Sequence, residues 1–125
     1  MAVSKNSCLV VFVTTANAED AATIGRALVE ERLAACANLV GPIRSIYRWR
    51  DAVEDAAEHL LMIKTQSGRY PALQARVREL HPYEVPEIVA VDIEKGSPPY
   101  LEWILESTAQ PSGSAPGPRA VKPKK

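Results

Sequence analysis

The chain has 125 residues, 46% hydrophobic and 24% charged, with 15 Lys+Arg against 15 Asp+Glu, which describes one domain with a packed core and excludes a fibrous or wholly disordered protein. Arg119, Lys122, Lys124 and Lys125 sit in the last fifteen residues without an acid beside them, so the part before them holds 11 bases against 15 acids. That mildly acidic body lacks the positive field that nucleic acid or an anionic membrane surface requires.

Polar Met1 to Asn6 precedes a short apolar run, Leu9 to Val13, far below the roughly 18 residues of a membrane span. No signal peptide is evident, and a cytoplasmic location is the expectation. Cys8 and Cys36 are too few for a disulfide framework and read as reduced, buried thiols.

Leu9 to Val13 predicts a strand. Asn17, with Asp20 three residues on, predicts a helix N-terminus, and Ala21, Ile24 and Leu28 mark one face of a helix over about 18–32. Ala35 to Arg50, broken at Gly41-Pro42, alternates with period two through Ser45, Tyr47 and Trp49, which predicts a second strand. Arg50 to Asp55 is expected to connect it to a returning strand, Glu58 to Thr65. Leu73, Val77 and Leu80, behind Pro71, predict a second helix ending before His81. Pro86 opens a fourth strand through Ile93, and Ser97, Pro98 and Pro99 start a short helix with Leu101, Ile104 and Leu105 as its stripe.

The fold class is therefore α+β: a ferredoxin-like βαββαβ sandwich with a short C-terminal helix. Its boundaries are a flexible start at 1–7, a folded domain at 8–109, and a disordered Pro/Gly/Lys tail at 110–125. Leu9 to Val13 and Leu60 to Ile63 are apolar at consecutive positions, so both sheet faces want burial while the two main helices cover one. The second face is predicted to be an oligomer interface.

Two constellations carry possible chemistry. His81-Pro82-Tyr83-Glu84-Val85-Pro86-Glu87 packs an imidazole, a phenol and two carboxylates into a proline-stiffened loop. It fits an exchangeable metal site, and it equally fits a histidine closing a helix with solvated acids around it. On the central hairpin, Tyr47 and Trp49 share one strand face while Glu58, Leu60, Met62 and Lys64 share a face of the next. If those faces coincide, Lys64 sits among aromatics as an acid, a base or an anion anchor; otherwise it is an edge lysine in water. No CxxC, HExxH, catalytic triad or glycine-rich phosphate loop occurs, so catalysis has little support and no cofactor is obligatory.

Ala35-Cys36-Ala37-Asn38, Ser45-Ile46-Tyr47-Arg48-Trp49, Glu58-x-Leu60-Leu61-x-x-Lys64-Thr65, the His81 to Glu87 loop and Tyr100-Leu101-x-Trp103-Ile104 follow one another in this order. Together they resemble the CutA divalent-cation tolerance family over about residues 8–106. The resemblance implies a homotrimer of ferredoxin-like subunits, similar in architecture to PII signalling proteins, and a non-enzymatic role in tolerance of copper and other divalent ions. It implies His81 and Glu84 as metal candidates for weakly bound Cu(II) or another divalent cation. Tyr47, Trp49, Glu58, Lys64, Tyr83 and Glu87 are then expected to line clefts between subunits. The alternative is a PII-like effector module whose cleft takes a small anion through Lys64; an enzyme using His81, Tyr83 and Lys64 ranks third. Two departures stand out. Thr14 replaces a cysteine found in copper-linked members, which weakens Cu(I) retention. Trp49-Arg50-Asp51 replaces Trp-x-Gly, a turn that Asp tolerates.

Overall fold

The computed structural model describes residues 7–110. The tail at 111–125 and the start at 1–6 lie outside the described residues. Ser7, expected to belong to that flexible start, accepts a hydrogen bond from the Ser67 N–H at 2.8 Å.

The elements run β1 (Cys8–Thr15), α1 (Ala18–Glu30), β2 (Cys36–Trp49), β3 (Ala52–Gln66), a 3-10 turn (Ser67–Arg69), α2 (Tyr70–Leu80), β4 (Ile88–Asp92) and α3 (Pro98–Ser107). The strands lie in the order β2-β3-β1-β4, all pairs antiparallel. This is the split βαβ arrangement. Asn17 caps α1, its Oδ1 accepting from the Asp20 N–H at 2.7 Å. The helix ends two residues short of position 32, where Arg32 turns to φ 64. The Arg32 N–H then donates to Val29 O and the Leu33 N–H to Leu28 O, a Schellman closure without glycine.

Val11, Val13, Leu61 and Ile63 fill one sheet face and pack on Ala21, Ile24, Leu28, Leu73 and Val77 from α1 and α2. Among the described residues, the opposite face is covered at one end only. There α3 sets Ile104 against Cys8 and Ala35, flanked by Leu101, Trp103 and Leu105. Beyond it, Phe12 pairs with Met62 on one side and Val89 on the other, and Val10 stands between Lys64 and Val91. Val89 and Val91 are each 50% exposed.

The hairpin differs most from expectation. Its connection is Arg50 and Asp51 alone, at φ 54 and φ 69, a tight turn whose two left-handed residues match the twist of the strands. Asp51 accepts that conformation as expected, and Arg50 shares it. Residues read as connection, Ala52 to Asp55, are strand because they find register partners in Trp49 to Ile46. The β1 ladder reaches β3 only from His59 to Gln66, so the β3 residues before His59 pair with β2 alone. They form a two-stranded arm that projects past the sheet. Cys36 also departs from the sequence reading: Cys8 is buried, but Cys36 is only half-buried, because it opens β2, the edge strand of the sheet.

Candidate functional site

A bulge decides which side chains meet. Val40 pairs with Leu60, but Ile43 pairs with Glu58, so β2 spends three residues where β3 spends two, across the cis Gly41–Pro42 peptide. An extra residue in one strand reverses the face of everything after it. Tyr47 and Trp49 consequently stand on the same face as Glu58, Leu60 and Met62. The ring of His59 fills the space beside the bulge, and a Cβ on Gly41 would overlap its Cδ2.

Below the arm the face borders a cleft of about 650 Å³. Ser45, Ile46, Tyr47 and Trp49 form its arm side, and Thr14 and Glu58 its floor. The α2–β4 loop closes it with Tyr83, Glu84, Val85 and Glu87. Among the described residues, three carboxylates and no basic side chain line it. Glu58 is 7% exposed and accepts the Tyr83 hydroxyl at 3.0 Å. Burial, with the Glu58 carboxylate adding to it, pushes the Tyr83 phenol up to about 12, so Tyr83 remains a neutral donor to Glu58. Thr14 Oγ1 lies 3.5 Å from Glu87 Oε1. At the outer edge the Arg50 guanidinium lies 5.0 Å from the Trp49 ring centroid and 3.3 Å from Glu84 Oε1.

His81 holds the loop in place. It is 6% exposed, its Nε2 is 2.7 Å from Thr14 O, and its Nδ1 accepts from the Tyr83 N–H at 3.1 Å. Since Nδ1 accepts, the ring is neutral and Nε2 carries the proton given to Thr14 O. Its ring lies 4.6 Å from that of Tyr83. Both nitrogens are thus engaged, while Glu84 is exposed and turned toward Arg50. Among the described residues no three of His, Cys, Asp or Glu gather as a metal would need. The described residues of one chain therefore offer no ready-made set of three ligands.

Of the residues singled out from sequence, Tyr47, Trp49, Glu58, Tyr83, Glu84 and Glu87 come together. Lys64 does not. It stands six residues along β3 from Glu58, roughly 20 Å away, opposite Cys36, and donates to Asn38 Oδ1 at 2.5 Å. The faces do coincide, but the aromatics lie on the arm, on the far side of the bulge. Lys64 instead belongs to a cluster in which the Cys36 Sγ and the Tyr100 hydroxyl are 3.9 Å apart. Burial, followed by Cys36, raises the Tyr100 phenol. Thr14 and Ser45 are cleft residues that sequence reasoning missed; their signal was register, at the end of β1 and beside Tyr47.

The model of the family described as CutA1 divalent ion tolerance protein matches residues 9–107. The chain belongs to the CutA1 family. It is 52% identical over 99 residues to the Divalent-cation tolerance protein CutA of Thermus thermophilus, covering 79% of this chain and 96% of that protein. It is also 52% identical to Protein CutA of Mus musculus over 103 residues, 82% of this chain but only 58% of the mouse protein's length. The solved CutA1 structure from Thermus thermophilus superposes with a TM-score of 0.80 at 50% identity, covering 82% of this chain and 99% of that one. The CutA1 fold of four antiparallel strands and three helices is therefore the fold of this chain.

Proposed function

We propose that the chain is a non-enzymatic divalent-cation tolerance protein that works as a homotrimer and meets dications weakly at the rim of its acidic cleft. The observation that carries this reading is the pair of carboxylates, Glu84 and Glu87, in the lining of a cleft that has no basic side chain among its described residues. Oxygen donors at an exposed rim suit exchangeable hard and borderline dications, with Cu(II) ahead of Zn(II) in the Irving–Williams order. Family membership supports the tolerance role. The trimer is supported by the half-exposed valines of the open face and by the arm, since a lone two-stranded ribbon is marginal in water. Lys64 enters a cleft in this reading only from a second copy, because its own cleft is out of reach.

Calorimetric titration with Cu(II) and Zn(II) tests the metal step. Wild type is expected to bind Cu(II) weakly, and a Glu84→Gln/Glu87→Gln variant more weakly by about tenfold. Equal Cu(II) affinity in the two proteins overturns the rim as the site.

A further inference from the structure

The floor of the cleft holds a charge that no described side chain answers. Glu58 Oε2 accepts from Tyr83, and among the described residues no cation pairs with the group. A nearly buried carboxylate is costly without a countercharge. Beside it stands the ring of Tyr83, and the ring of Tyr47 lines the same cleft, while Trp49 lies at the outer edge under Arg50. A dication gains little from such walls, since it binds through several oxygen or nitrogen ligands, and the volume is that of a site for a small organic molecule. An ammonium or guanidinium group needs this combination: a charge-assisted hydrogen bond to a carboxylate and the negative faces of aromatic rings. Arg50, seated between the Trp49 ring and Glu84, makes the same pairing at the outer edge with the chain's own guanidinium.

We propose that the cleft binds an organic cation, a primary amine on an apolar or aromatic body, with its ammonium on Glu58 and its body between Tyr47 and Tyr83. The proposal shares the cleft of the metal reading but rests on its floor, whereas the dication reading rests on Glu84 and Glu87 at the rim.

Calorimetry of the full chain, freed of metal, with benzylamine and its neutral analogue benzyl alcohol tests it. Benzylamine is expected to bind, and benzyl alcohol to bind weaker by about tenfold or more. Glu58→Gln, whose amide oxygen still accepts from Tyr83, and Tyr47→Leu, on the exposed arm, are each expected to lower benzylamine affinity by about tenfold. Equal binding of amine and alcohol, or affinity unchanged in both variants, overturns the proposal. So does a Lys64→Gln variant that gains about tenfold in benzylamine affinity, because the occupant is then the lysine of a second copy. Cu(II) titrated into Glu58→Gln separates the two readings: dication binding kept there leaves the rim standing whatever the amine does.

Discussion

His81 works as a fastener in this structure. Its ring joins the end of β1 to the loop that carries Tyr83, and deleting it removes the partner it gives the Thr14 carbonyl and the Tyr83 N–H. Each orphaned group costs about 1–3 kcal/mol. His81→Ala is accordingly expected to destabilise the chain by roughly 2–4 kcal/mol in urea unfolding, a loss that a solvated ligand histidine would not produce. Tyr83 offers a second check. Its folded pKa of about 12 lies above the ordinary 10, so between those values the unfolded chain releases a proton that the folded chain keeps. Stability is therefore full below pH 10 and lost as pH rises toward 12. Burial is the larger cause and Glu58 the smaller, so in Glu58→Gln the Tyr83 pKa is expected to fall only part of the way to 10. Phenolate absorbance during alkaline titration measures this; a complete return to 10 would mean that Glu58 alone holds the shift.

Among the elements, helices were the most legible. Ala21, Ile24 and Leu28 repeat with helical spacing and are buried, and Asn17 caps where its side chain predicted. The length of the β2–β3 hairpin was not legible, because Glu54 and Asp55 carry the composition of a loop. Their strand conformation comes from register with β2, helped by the two hydrogen bonds that the Arg44 guanidinium donates to the Asp55 carboxylate at 2.9 and 2.7 Å. The bulge was visible only as a Gly-Pro break. Gly41→Ala is expected to cost roughly 1–3 kcal/mol by overpacking against His59, read as a lower midpoint in thermal unfolding. His59 Nδ1 is buried without a partner, so removing that ring sacrifices no hydrogen bond there. The Gly41→Ala/His59→Ala double variant should recover most of the loss relative to His59→Ala alone. Full additivity of the two changes would show that the ring does not fix the glycine.

For the whole molecule, the open face and the arm set the expectations. Val89 is half exposed in a single chain, and a surface substitution at such a site normally changes stability by no more than about 0.5 kcal/mol. If that face is buried between copies, Val89→Lys places three ammonium groups in an apolar interface. Light scattering is expected to give a trimer for wild type at micromolar concentration and a monomer for Val89→Lys, with an unchanged circular dichroism spectrum. A trimeric Val89→Lys protein would move the interface elsewhere. Assembly also makes the unfolding midpoint of wild type depend on concentration, a dependence the variant should lose.

The sequence by itself determined the order of the elements and the helix-covered core, because both follow from local periodicity and from turn residues a few positions apart. It also determined the family, through five short motifs in order. It named most of the cleft, since Tyr47, Trp49, Glu58, Tyr83, Glu84 and Glu87 carry unusual chemistry in short stretches. Only the tertiary structure decided that they meet, because their faces depend on one extra residue at Gly41-Pro42, which reverses inside and outside for the rest of β2. It also decided that Lys64 stands apart and that His81 is occupied. Those are facts of strand register and of hydrogen bonds between residues 67 positions apart, distances over which a sequence pattern carries no geometry.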